Sequence, residues 1–425
     1  MPARSHARAG VMVAVAAWLT ATLCGCHSTV DSLGYDDERG IVLHPMKGPD
    51  TYPNAFGEVL GKSDPDISAK INAAFDQLFH GDASTEAIYV PVSGQPQAYI
   101  EDVFHSDIRT EGMGLGMLIA VELDKRDEFD RLWTYAKTMR ATTGAAKGYF
   151  DSSCGTTTSP GVPRCNDPFG HEHILMALLL ANQRWGATGA DAGANDYASG
   201  AKSLLTVMRH KEDENGGIVD GVTNAFDSAT RLVFHEPETD SANETRSSIE
   251  TPGFYELWAQ ATGDPFWSRA AESARAFWKK TANPNTGLFP VRSHFDGTPV
   301  AGYDTFASEA FRAQVNFAID QVWSTGDPWE VVEANHLLQF FIGKGLDTYG
   351  REYTLDGVTE VDSTRDQTLV VTNGITGLIS NVPRRSDFIQ AVWDMDIPTG
   401  NSRYFTGIFQ MMGLLLLGGN CRVTW

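Results

Sequence analysis

The chain has 425 residues, 42% of them hydrophobic, 10% aromatic and 20% charged, with a formal net charge of −21. That length and composition suit a globular protein of one large domain or two to three smaller ones. The acidic balance, with no Lys/Arg run, excludes nucleic acid as a partner and an electrostatic grip on anionic lipid; a neutral ligand such as a sugar fits it.

Arg4 and Arg8 precede an apolar run from Val11 to Leu23. The run is too short to span a bilayer but suits the core of a signal peptide. It leads into Leu23, Cys24, Gly25 and Cys26, which resembles a bacterial lipoprotein processing site with Cys26 as the lipidated residue. Ordinary cleavage between Ala21 and Gly25, releasing a secreted protein, is the alternative. The expected organisation is therefore a targeting segment over 1–26, a linker over 27–45 and one folded domain over 46–425. The protein is expected to be exported and to meet a membrane only through the lipid.

Export also bears on the remaining cysteines. Cys154 and Cys165 bracket a stretch rich in Gly, Ser, Thr and Pro. In an oxidising compartment they are expected to form a disulfide that closes this loop. Nearby, His171 and His173 flank Glu172, but residues two apart do not share a helix face and no four-ligand cluster accompanies them. No metal and no cofactor is expected.

From about residue 65 the chain reads as helices in pairs. An apolar helix ends in a tight polar or Gly/Pro turn, and a second, amphipathic helix follows. Met117 to Leu123 leads through 124–127 into Phe129 to Tyr135. Leu175 to Trp185 leads through Gly186 to Gly189 toward Tyr197 to Met208. Phe254 to Ala261 turns at Gly263, Asp264 and Pro265 into Phe266 to Trp278. Phe317 to Trp323 turns at Gly326, Asp327 and Pro328 into Trp329 to Phe341. In the last two turns Asp caps the new helix and Pro suits its first position. Helices that are apolar all round belong inside, and amphipathic ones outside. Repeated about six times, the pair makes an all-α (α/α)6 toroid; an α-solenoid is the alternative. The long connections over 147–173 and 210–252 are where a site would sit.

The sharpest segment runs from Ser106 to Met117, where Gly112, Gly114 and Gly116 open an inner helix and Glu111 stands at its entrance. A carboxylate there is favoured by the helix dipole, which is the plain structural alternative to a catalytic role. The segment is no phosphate loop, since the Lys and Ser/Thr of that motif are missing.

With Lys147–Phe150, Gln183–Gly186, Pro252–Leu257, Asp296–Pro299 and Ser308–Arg312, in this order and spacing, the chain resembles glycoside hydrolase family 8. Within that family it is most similar to the reducing-end xylose-releasing exo-oligoxylanases. The resemblance implies an (α/α)6 toroid and hydrolysis of a β-linked oligo- or polysaccharide with inversion, xylo-oligosaccharides first. It assigns Glu111 as general acid. At the position of the family's general-base Asp stands Glu309, with Arg312 three residues on. The extra methylene shifts that carboxylate by about an ångström, enough to matter to rate.

Other departures cluster at the cleavage point. The family's sugar-contacting Asp is Phe169 here, with Asp167 two residues upstream as its substitute, and a family Tyr is Ile249. The acidic stretch from Glu236 to Glu250 is a source of replacement carboxylates. Tyr255, Trp258 and Tyr303 are candidate cleft aromatics. Endo-β-1,4-glucanase or chitosanase activity, and a non-catalytic glycan-binding lipoprotein on this scaffold, are the alternatives.

Overall fold

The computed structural model describes residues 40–151, 153–155, 167–186, 196–241, 243–324 and 326–425, with 153–155 described as backbone only. Cys26 and Cys165 lie outside the described residues, as does the side chain of Cys154, and with them the expected lipidation and disulfide.

A short helix α1 (Ala55–Glu58) precedes six helix pairs. The outer helices are α2 (Asp64–His80), α4 (Arg126–Ala136), α6 (Tyr197–Asn215), α8 (Pro265–Thr281), α10 (Pro328–Lys344) and α12 (Arg385–Asp394). The inner helices are α3 (Thr110–Glu122), α5 (Pro168–Trp185), α7 (Pro252–Thr262), α9 (Ala313–Trp323), α11 (Gln367–Ile379) and α13 (Phe405–Leu417). Each inner helix packs on the next, and α13 returns to α3, so the ring is closed. This is the (α/α)6 toroid, and closure excludes the solenoid.

Burial explains which helices went inside. Every residue of α3 is buried, and α13 is buried from Thr406 to Leu417. Outer α2 instead buries Ile67, Ile71, Ala74, Phe75 and Leu78, a stripe at helical spacing. Asp264 and Asp327 cap α8 and α10, each with Pro at the first turn, and Glu330 completes a capping box on α10.

Chain direction then decides where a site can form. Apart from the α5–α6 connection, which lies mostly outside the described residues, inner helices pass to outer ones through short turns, such as Gly263 and Asp264 between α7 and α8. Outer helices return to inner ones through long connections that hold all the strands. Strands β1 (Tyr89–Pro91), β2 (Ala98–Asp102), β3 (Asp107–Arg109) and β4 (Ser153–Gly155) form one antiparallel sheet ahead of α3 and α5. β5 (Glu244–Thr245) pairs with β6 (Ser293–His294), while β7 (Thr305–Phe306), β8 (Glu352–Thr354) and β9 (Glu360–Asp362) make a third sheet. The N-termini of all six inner helices therefore open onto the long-loop end of the ring.

The glycines of α3 let that ring close tightly. A Cβ on Gly114 would lie 2.7 Å from the His173 Cβ and 3.2 Å from the Gly170 carbonyl of α5. Cβ atoms on Gly112 and Gly116 would meet Tyr404 and Ile100 on the other side. The folded domain reaches further back than residue 46, because Ile41 is 3% exposed and the His44 amide donates to the Ala261 carbonyl at 2.7 Å.

Buried acids run through the domain. Burial pushes Glu122, Glu250 and Glu333 each up to about 8, and raises Glu172 well above its ordinary value. Glu122 accepts from the Arg422 amide at 2.8 Å and thereby ties the C-terminus to α3. A raised folded value means that the folded state binds protons more tightly than the unfolded chain. The linked stability is full below the unfolded value of 4.5 and is lost as pH rises to about 8. The melting temperature should accordingly fall over that window in thermal denaturation, and Glu250→Gln should flatten the fall. A melting temperature that rises through the window would contradict this.

Candidate active site

Glu111 sits in the first turn of α3, where β3 delivers the chain to the mouth. Its side chain is 11% exposed and accepts a hydrogen bond from the Arg312 Nη1 at 2.8 Å. Arg312 stands in the single 3-10 turn, Ala310–Arg312, that leads into α9, and its guanidinium lies 4.4 Å from the Phe405 ring centroid. Glu309 immediately precedes that turn. Although Arg312 stands three residues after Glu309, its hydrogen bond goes to Glu111, and Glu309 is held by another arginine.

That second arginine is Arg246, just after β5. Its Nη1 donates to Glu309 Oε2 at 2.8 Å, and its Nη2 donates to Asp167 Oδ1 at 2.9 Å. Arg246 is 9% exposed, whereas Glu309 remains 34% exposed, the most open of these acids. Asp167 is also the N-cap of α5, accepting from the Phe169 amide. Asp167 and Glu309, far apart in the chain, are therefore bound to one guanidinium.

The electrostatics divide the acids. For Glu111, burial outweighs the opposing charge of Arg312, and the charges of Asp167 and Glu309 add to it, so its carboxyl is raised above 4.5. For Glu309, burial also pushes upward, but Arg246 and then Arg312 prevail and hold the carboxyl at about 2. One carboxyl is biased to keep a proton and the other to stay ionised, the division that acid–base catalysis by two carboxyls needs.

Other expected site residues fall elsewhere. Tyr255 and Trp258 are 0% exposed, and the Tyr255 hydroxyl donates to Glu172 at 2.6 Å. They are core aromatics and not cleft platforms, since both stand on the buried inner helix α7. Phe169 is 3% exposed and stacks on His173 with ring centroids 4.0 Å apart, so it packs beneath the site and does not face a sugar. Ile249 is fully buried too. Tyr303 is 43% exposed, with the Arg292 guanidinium 4.1 Å from its ring centroid.

His171 and His173 are core side chains on α5. The Nδ1 of His171 faces the Asp167 carbonyl at 2.9 Å, and its Nε2 accepts from the Phe150 amide. These partners fix the proton on Nδ1, and burial lowers the group to about 4, so the ring is neutral.

Neither Glu244 nor Glu250 of the acidic stretch over 236–250 joins the cluster as a replacement carboxylate. The stretch supplies Arg246 instead, while Glu244 pairs with Arg292 and Glu250 is buried against Val233 and Thr245. Sequence reasoning missed Arg246, and also His235, whose ring feels Arg246 and Glu309 and is lowered by burial to about 3. The available signal was the single arginine standing inside an acidic run.

Comparison with known proteins identifies the family. The family model described as glycosyl hydrolases family 8 matches residues 100–419. The chain is 34% identical to the reducing-end xylose-releasing exo-oligoxylanase Rex8A of Paenibacillus barcinonensis, over 88% of this chain and 97% of that protein. The structure of Rex8A complexed with xylose superposes with a TM-score of 0.81 at 32% identity, covering 89% of this chain and all of that one. Endoglucanase C of Ruminiclostridium cellulolyticum is 27% identical over 74% of this chain and 64% of its own length. The chain belongs to family 8 of the glycosyl hydrolases.

Proposed function

We propose that the protein hydrolyses xylo-oligosaccharides with inversion, using Glu111 as general acid and Glu309 as general base. The observation that carries this reading is that two acids at the same helix-start end are each bound by a buried arginine, Glu111 by Arg312 and Glu309 by Arg246, with burial raising the first and the arginines lowering the second. Glu111 gives its proton to the glycosidic oxygen as the bond to the anomeric carbon breaks. Glu309, ionised and partly open to solvent, takes a proton from a water that attacks that carbon from the opposite face. The acid and base are restored by proton exchange with solvent. Arg312 and Arg246 hold the two carboxyls in place, and Arg246 draws the longer Glu309 side chain to a fixed position. Asp167, on the same guanidinium, stands in for the sugar-contacting Asp that Phe169 replaces. The choice of xylose rests on similarity to exo-oligoxylanases at 34% and 33% identity. Cleavage of β-1,4-glucan is the second reading, favoured by the more distant endoglucanase relatives.

Incubation with a panel of β-1,4 xylo- and gluco-oligosaccharides, followed by proton NMR of the first product, tests the assignment. The α-anomer should appear first, and Glu111→Gln should lose about a hundredfold or more in kcat. A β-anomer first, or full activity in Glu111→Gln, would overturn the mechanism. No cleavage of any oligosaccharide would favour a glycan-binding protein.

The same proposal places the enzyme outside the cytoplasm. The support is the basic and apolar segment ending at Cys26, together with Cys154 and Cys165 flanking a stretch rich in Gly, Ser, Thr and Pro. Expressed in a bacterial host, the wild type should fractionate with membranes and Cys26→Ala should not. Equal membrane recovery of both would refute lipid anchoring.

A further inference from the structure

A cavity of about 660 Å³, away from the active site, opens between the end of α4, the chain over 140–148 and α6. None of the acids of the active site lines it. Four of its lining side chains are cationic, Lys137, Arg140, Lys147 and Lys211, against one carboxylate, Glu214. In a chain whose net charge is −21, that concentration of positive charge is not what composition alone would place there.

Two of the four cations, Lys211 and Arg140, are built into the wall. Lys211 is 1% exposed; its ammonium donates to the Lys147 carbonyl at 2.5 Å and to Glu214 at 2.6 Å. Arg140 donates from Nε to the Gly148 carbonyl at 2.6 Å and from Nη2 to Ser203. Gly148 has φ +93°, a conformation open to glycine, and a Cβ there would press on Val207 at 3.1 Å. The backbone thus bends to bring its carbonyl under Arg140. Lys137 and Lys147 are exposed at the rim. Fixing cations this way holds positive charge in a walled space, where it acts more strongly than in open water.

The geometry points to this cavity as a binding site for a sugar-sized molecule that carries an oxyanion, either a carboxylate, as in a uronic acid, or a phosphate. Its volume falls in the range of small-molecule sites, about 300–1,000 Å³, and exceeds what a bare inorganic anion fills. Arginine and lysine together suit an oxyanion, the guanidinium as a planar donor and the ammonium as a point charge. Glu214 limits the affinity, because it neutralises Lys211 and repels the ligand. The inference does not depend on which sugar the active site cleaves.

Isothermal titration calorimetry of the full chain in low-salt buffer tests it, with glucuronate, inorganic phosphate and neutral xylose as probes. At least one charged probe should bind, and the double variant Lys137→Glu/Lys147→Glu should weaken that binding about tenfold or more. Both lysines lie at the rim, so the fold should persist, as circular dichroism can verify. Glu214→Gln should shift affinity the other way and tighten the same probe. Added salt should weaken binding through screening. Binding of glucuronate alone identifies a uronate site, and binding of phosphate alone a phosphate site. Absence of binding by both anions, or equal affinity in wild type and the lysine double variant, would overturn the inference, as would weaker binding in Glu214→Gln.

Discussion

Two largely buried guanidinium groups decide what the mouth of this ring can do. Arg312 is bound to Glu111, and Arg246 to both Glu309 and Asp167. Charges this far from water need partners, and removing one partner of a buried pair costs about 3–5 kcal/mol in general. The arginines therefore fix the positions of three acids that come from three separate inner-helix entrances. Together with burial they set protonation. Glu111 lies deepest and stays above 4.5 despite Arg312, while the more open Glu309 feels both arginines and falls to about 2.

The toroid supplies the geometry for this arrangement. Because every inner helix starts at the same end, residues far apart in the chain, such as Glu111 and Glu309, reach one mouth. The tight contact of α3 with α5 at Gly114 brings Glu111 and Asp167 onto neighbouring helix starts. Buried Glu250 accepts from Thr245, the residue before Arg246, and so anchors the backbone that presents the second guanidinium.

Much of this could be read from the sequence, for definite reasons. Apolar helices followed by Asp-Pro turns announce a buried helix and the start of an outer one, and both Asp264 and Asp327 cap as that pattern requires. Glu111 and the glycines after it were legible because tight packing and a helix-start acid leave a local signature. The last two inner helices lacked such turns and were visible only by extrapolating the repeat. What could not be read was pairing across the ring. Nothing local to Arg246 reveals that it faces Asp167 and Glu309, since that contact spans 79 and 63 residues. Tyr255 and Trp258 misled for a related reason: an aromatic on an inner helix looks the same in sequence whether it faces the opening or the core.

The central claim is that burial keeps Glu111 protonated to higher pH than Glu309, which the two arginines hold ionised. Carboxyl-carbon NMR of glutamate-labelled protein, with the two signals assigned through Glu111→Gln and Glu309→Gln, measures this directly. Glu309 should stay ionised down to about 2, and Glu111 should take up its proton at a pH above 4.5. Titration of both groups together near 4.5, or of Glu111 below Glu309, would contradict the account.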